Sequence, residues 1–438
     1  MTLNLAEKPL LNQPTIQKLA NGLTIIAEQM PVEAVNLNVW LNVGSAKESD
    51  EINGMAHFLE HVVFEGTPKL KIGEFEQVIE EKGAITNAAT SQDYTHYYIT
   101  TAPQDLAELA PLQLDVVLNP SLEESAFERE KLVVLEEIRR SEDNPGSRTF
   151  YQAMETCFES LPYRRKVLGP AEVIQNLRSQ QMQNFHQNWY QPQSMTAAVV
   201  GNLPVEELIE IVSNSFATNY QSSSQTELSS STVPSLRIPK APLVSAEKPF
   251  SRIVRQESTD ETLQQARMIM MWRVPGMVDL PETYALDIIA VILGQGKVSR
   301  LFRDLREEKG LVNRIGVSNM TQTQQGVFYI SAQLPTENIV EVEKLIREHL
   351  QKFQTELVAT KDIERIRKKV ANRFVFANER PSDRANLYGY YYSQIQDLNP
   401  ALNYPSLIQA VSAEDLQVAA QNYLDPDAYG VVIMKPTS

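Results

Sequence analysis

The chain has 438 residues, 42% hydrophobic and 22% charged, which is too long for one ordinary core and apolar enough to build two or more domains. Its formal net charge of −15 disfavours nucleic acid as a partner and favours cationic ligands. A lone cysteine, Cys157, excludes an internal disulfide framework and reads as a packing residue, and no run approaches the roughly 18 apolar residues of a membrane span. The N-terminus has no basic segment followed by an apolar one, so no secretory signal is visible and a cytoplasmic location is expected.

In chain order, "TIQKLANGLTIIAEQ" carries Asn21-Gly22 between apolar runs, which predicts a hairpin. "AVNLNVWLNVG" follows, with Val35, Leu37, Val39, Leu41 and Val43 alternating as in a half-buried strand. An apolar helix then carries "GMAHFLEHVVFEG". The strand pair "AITNAATSQDYTHYYITT" leads into long helical segments and a closing strand, "MTAAVVGNL". Residues 218–248 are rich in Ser, Thr and Pro and read as a linker. It separates an N-terminal unit, 1–217, from a C-terminal unit, 249–438. The second unit repeats the plan: "ARMIMMWRVPG" as strand, "TYALDIIAVILG" as helix, "GVFYISAQL" as strand, helices from Thr336 onward, and a last strand, "YGVVIMK". The expected fold class is α+β: two homologous domains from an internal duplication, with mixed, mostly antiparallel sheets packed against helices. "GQGKVSR" lacks the spacing of a phosphate loop and reads as a helix-ending turn.

Chemistry concentrates in the first unit. His57 and His61 lie four apart on one helix, so both imidazoles can face one metal ion. Glu60 sits beside that face, placed to take a proton from water activated at the metal. The H-x-x-E-H order is the inverse of the H-E-x-x-H zinc-protease motif. Three ionisable groups in an apolar turn require strong partners. A third protein ligand is available from "REKLVVLEEI", where Glu130 and Glu137 lie two turns apart on one face; spacing alone does not choose between them. The second unit has no such motif.

Taken with "GSAKESDEINGMAHFLEHVVFEGT", "GAITNAATSQDYTHYY" and "GKVSRLFRDLREEKGLVN", these residues make the chain resemble the pitrilysin and mitochondrial-processing-peptidase family of zinc proteases over nearly its whole length. The resemblance implies one zinc per chain held by His57, His61 and Glu137, the last 76 residues after His61. It also implies Glu60 as general base and Glu130 as a carboxylate orienting a ligand histidine. Substrate would add as a strand to the edge formed by "ITNAAT", near Asn87 and Ala88. A homodimer, or a heterodimer with a related subunit, would enclose an acidic chamber suited to basic, extended peptides such as presequences. Active members usually carry an arginine and a tyrosine seven apart in the second half, binding the substrate carbonyl in the partner's site. Here Arg306 is present, but Asn313 stands where tyrosine is expected. Two functions follow: a zinc metalloendopeptidase needing a partner for full activity, or a weakly active, zinc-bearing scaffold subunit.

Overall fold

The computed structural model describes residues 13–220 and 245–437. Most of the expected linker, 221–244, and the N-terminal stretch 1–12 lie outside the described residues.

The first half runs β1 (Thr15–Lys18), β2 (Thr24–Gln29), β3 (Val35–Leu41), α1 (Met55–Val62), α2 (Glu74–Glu81), β4 (Ile85–Thr90), β5 (Thr95–Thr101), α3 (Leu106–Leu118), α4 (Glu124–Asp143), α5 (Pro145–Cys157), α6 (Ala171–Asn176), α7 (Ser179–Trp189), β6 (Met195–Gly201) and α8 (Val205–Asn219). The second runs β7 (Val254–Asp260), β8 (Ala266–Pro275), α9 (Tyr284–Gly294), β9 (Arg314–Met320), β10 (Gln325–Leu334), α10 (Ile339–Thr355), α11 (Thr360–Phe376), α12 (Pro381–Ile395), α13 (Asn399–Ala410), α14 (Ala413–Tyr423) and β11 (Gly430–Pro436).

Each half builds one sheet, in the orders β1-β2-β6-β3-β5-β4 and β7-β11-β8-β10-β9. Without β1, the two orders superimpose strand for strand in chain order. Each sheet has one parallel pair, β2 with β6 and β7 with β11, and is otherwise antiparallel. The fold is therefore α+β and duplicated. β1 is an addition to the first copy, held by the expected turn: Gly22 adopts φ +98°, and Asn21 Oδ1 accepts from Leu23 N at 3.1 Å.

β3 departs from its sequence pattern. All seven of its residues are buried, not one face alone. The apolar face meets the helices of its own half, while Asn36, Asn38 and Trp40 are covered by α12 from the second half. Two of the buried polar groups find partners on the neighbouring β5: Asn36 Nδ2 donates to Ile99 O (3.0 Å), and Asn38 Oδ1 lies 3.0 Å from His96 Nδ1. The exchange is reciprocal. Helix α5, from the first half, packs across β8 and β11 of the second, where Ala153, Met154 and Cys157 meet Ile269, Met271 and Val432. Burial pushes the Cys157 thiol up to about 12, which fits a packing role and not a nucleophile's.

An ion pair pins the exchanged helix α12. Arg384 Nη1 donates to both oxygens of Glu28 on β2, at 2.8 and 3.1 Å, and Tyr388 Oη donates to Glu28 at 2.7 Å. Both charged groups are buried, so their mutual satisfaction offsets their desolvation. Close approach of α12 depends on Gly389, where an added Cβ would stand 2.0 Å from Trp40 Nε1. Gly389→Ala should therefore push α12 off the first sheet and cost about 1–3 kcal/mol. A lowered denaturant midpoint, with loss of protection in β3 and β6 by hydrogen exchange, is the expected readout.

Candidate metal centre

α1 begins at Gly54, whose φ of +100° and contact with the loop after α5 exclude a side chain: a Cβ there would lie 2.6 Å from Leu168 O. The helix start is anchored by Glu48, which sequence reading missed. Its Oε2 accepts from Gly54 N (2.7 Å) and Asn53 Nδ2 (2.9 Å), and its Oε1 from Ala56 N (2.7 Å). An acceptor at the positive end of the helix satisfies the otherwise orphaned first-turn amides. Burial nevertheless raises the Glu48 carboxyl to about 7, opposed by these donors.

One turn on, His57 and His61 project from the same face, their ring centroids 4.9 Å apart. Helix α4 brings Glu137 against them: its Oε2 lies 3.5 Å from His57 Nε2 and 3.6 Å from His61 Nε2. Two bonds of about 2.0–2.1 Å meeting at a tetrahedral angle separate their donor atoms by about 3.4 Å. The Glu137 oxygen thus stands at metal-ligand separation from both nitrogens, beyond ordinary hydrogen-bond length, and all three atoms lie within 4.8 Å of one another. Among the described residues this is the one such grouping of His, Cys, Asp and Glu side chains. The donor set, two imidazoles and a carboxylate, suits a zinc-like divalent ion with an open position.

The two imidazoles differ in their electrostatics. Burial pulls His57 down to about 4, leaving it neutral as a metal ligand must be. Burial also acts downward on His61, but the Glu137, Glu60 and Glu130 carboxylates outweigh it and leave it above its ordinary value. Glu130 approaches the other side of the His61 ring, its Oε2 3.4 Å from Nδ1. The two carboxylates left open by spacing stand differently: Glu137 meets both Nε2 atoms, and Glu130 only the opposite nitrogen of His61. Glu60 faces the same cavity, its proton affinity raised by burial, and its Oε2 accepts from Thr90 Oγ at 2.5 Å.

The cavity, about 560 Å³, is bounded by α1, β4, the C-terminal part of α4 and the start of α5. From β4, the residues that line it are Ala89 and Thr90; Asn87 and Ala88 lie farther along the same edge strand, with Asn87 Oδ1 turned back on Ala88 N at 2.9 Å. Arg140, Asn144, Ser147 and Tyr151 also line the wall. Their helical spacing from Glu137 was the available signal, but it needed α5 to turn beside α4. Arg306 and Asn313 do not reach this cavity: Arg306 lies over the Phe302 ring at 4.7 Å, and Asn313 N donates to Gln333 O at 2.8 Å.

Residues 23–171 match the family model described as Insulinase (Peptidase family M16), and residues 176–370 the one described as Peptidase M16 inactive domain. The chain belongs to peptidase family M16. An M16 relative in Rickettsia felis, named an uncharacterized zinc protease, is 24% identical over 92% of each chain. The zinc protease PqqE of Helicobacter pylori is 26% identical over 95% of this chain and 92% of its own. The crystal structure of a protease from Helicobacter pylori has a TM-score of 0.86 at 25% identity, covering 97% of this chain and 99% of that one. The match to the inactive domain begins just before α7 of the first half and runs through the second half as far as α11, and among the described residues of this M16 chain the second half holds no grouping of metal-ligating side chains. None of its described helices is long and apolar enough to cross a membrane.

Glu48→Ala should leave the Gly54 and Ala56 amides unsatisfied, while Asn53 Nδ2 keeps Lys166 O as acceptor, and cost about 1–3 kcal/mol in stability. It should also loosen α1, read as weaker zinc retention on dialysis. The pH dependence has a definite sign. The folded state holds the Glu48 proton more tightly than an ordinary carboxyl of 4.5, so the wild type should shed this contribution as pH rises from about 4.5 to about 7. A thermal-midpoint profile should show that slope, and the Glu48→Ala profile should be flatter there.

Proposed function

We propose that the chain is a zinc metalloendopeptidase of the processing-peptidase type, acting on extended, basic peptides within an enclosure completed by a second chain. The observation that carries the reading is the convergence of His57 Nε2, His61 Nε2 and Glu137 Oε2, with Glu60 facing the same cavity. His57, His61 and Glu137 would hold one zinc ion, and Glu130 orients His61 from behind. When bound, the ion supplies Lewis-acid polarisation of a peptide carbonyl and acidifies water near neutral pH.

The remaining steps belong to side chains. Glu60 takes a proton from the attacking water and delivers it to the leaving amine nitrogen. Thr90 holds one of its oxygens, and among the described residues no hydrogen bond engages the other. Substrate pairs with β4, whose outer edge has no strand neighbour among the described residues, so Ala89 and Thr90 lie beside the scissile bond and Asn87 and Ala88 along the peptide. The −15 charge of the chain supports basic substrates.

Arg306 and Asn313 lie outside the zinc cavity, which supports their acting on a second chain's site. With asparagine at 313, a homodimer lacks the tyrosine hydroxyl that would stabilise the oxyanion. This favours a related partner that supplies the full pair, and it sustains the second reading, a weakly active zinc-bearing subunit.

Zinc-loaded wild-type chain should hydrolyse a fluorogenic basic peptide at least about a hundredfold faster than Glu60→Gln, with both proteins retaining one zinc per chain. Chelation should abolish cleavage and added zinc restore it; equal rates for the two proteins would sink the peptidase assignment. In a homodimer, Asn313→Tyr should raise kcat by up to about 10²-fold without changing zinc content. An unchanged kcat, together with a monomeric native mass, would remove the case for a second chain.

A further inference from the structure

On the far side of α5 from the zinc cavity lies a second groove, about 420 Å³ in volume, between the first turns of that helix and the β8-β10-β9 face. The two sites share the helix by opposite faces: Asn144, Ser147 and Tyr151 line the zinc cavity, while Gly146, Thr149 and Phe150 line the groove. Across its floor, Gln333 of β10 stands in register with Arg267 of β8 on one side and Arg314 of β9 on the other. Neighbouring strands are about 4.8 Å apart, so the two arginines flank a space of about 10 Å.

Their electrostatic situation is unusual for this molecule. The chain has 55 acidic residues against 40 basic ones, yet among the described residues no Asp or Glu lines the groove. Among the described residues, neither Arg267 nor Arg314 forms an ion pair, whereas Arg148, on the same helix α5, is engaged by Asp260. Arg267 Nε is buried and has no hydrogen-bond acceptor. A buried guanidinium nitrogen without an acceptor is costly, and an anionic ligand relieves that cost. Gly316, in register with Ser331 on the same floor, keeps the space open. The amides that begin α5 are already capped by the Asn144 side chain, so the arginines and not the helix terminus provide the recognition.

We propose that this groove binds a carboxylate of the peptide substrate, gripped by Arg267 and Arg314 with Gln333 between them. This extends the peptidase reading and rests on it for the identity of the ligand. Arginine matches a carboxylate through paired, parallel hydrogen bonds, which a lysine row would not provide. A helix is about 10 Å across, and an extended chain advances about 3.3 Å per residue. The carboxylate therefore falls about three to five residues from the bond placed at the zinc cavity. In an otherwise acidic protein, this gives a basic peptide one fixed point of opposite charge, setting which bond reaches Glu60.

The test uses full-length, zinc-loaded Glu60→Gln protein, which separates binding from cleavage, and short fluorescently labelled peptides read by anisotropy. One peptide ends in a free carboxylate and has no acidic side chain; the second is its amide; the third is the amide with one internal glutamate. The free acid or the glutamate peptide should bind about tenfold more tightly than the plain amide, and which of the two does so identifies the carboxylate's source. Arg267→Gln and the exposed-strand variant Arg314→Gln should each erase that preference while leaving affinity for the amide unchanged. Equal binding of all three peptides, no binding at all, or a preference that survives both substitutions would overturn the proposal. Failure of wild-type protein to cleave any peptide, with the carboxylate preference intact, would instead count against the peptidase reading and leave the groove standing.

Discussion

The structure depends on an exchange of helices between its two halves. A sheet with helices of its own on one side leaves a second face to cover, and here each half covers the other's: α12 lies on β3 and β6, and α5 on β8 and β11. The buried Glu28–Arg384 pair makes this exchange specific, because separating the halves would strip each charge of its partner. The consequence reaches the metal centre directly. Only Asn144 separates α4, which carries Glu137, from α5, which is clamped on the second sheet. The second half carries no such motif, but it holds the far end of the chain segment that brings Glu137 to His57 and His61.

The metal centre is organised as layers of satisfied and unsatisfied groups. Glu48 and Gly54 fix where α1 starts, and the start of a helix fixes the direction of every side chain on it. From that origin, His57 and His61 present their Nε2 atoms to Glu137 while Glu130 approaches His61 from behind. Burial keeps His57 neutral and makes Glu60 a stronger base than an exposed carboxylate. The same residues would make an unfavourable cluster without a cation among them, since carboxylates from two helices face one cavity.

Duplication explains why the second half resembles the first without sharing its His/Glu motif. α9 occupies the position of α1 between corresponding strands, and its Asp287 accepts from Asn319 of β9 at 2.9 Å, much as Glu60 accepts from Thr90 of β4. Where α1 has its histidines, α9 has a continuous apolar surface, and nearly all of α9 is core. What the second sheet offers in place of metal ligands is its open face, where the in-register row of Arg267, Gln333 and Arg314 meets α5. Each half thus contributes to one continuous wall around the first turns of that helix.

The sequence by itself determined what is local. Helical spacing placed His57 and His61 on one face, Asn21-Gly22 formed its hairpin, and the order of apolar runs disclosed the duplication. Each of these follows from chain geometry over a few residues. The tertiary structure decided what requires two distant segments to meet. The choice between Glu130 and Glu137 rested on how α4 crosses α1, not on any spacing within α4. The full burial of β3, against its alternating pattern, came from a helix more than 300 residues later in the chain. Glu48 and the Arg267–Arg314 row carried no sequence signal of their own, because a side chain's role in a cavity is set by which walls the fold brings together.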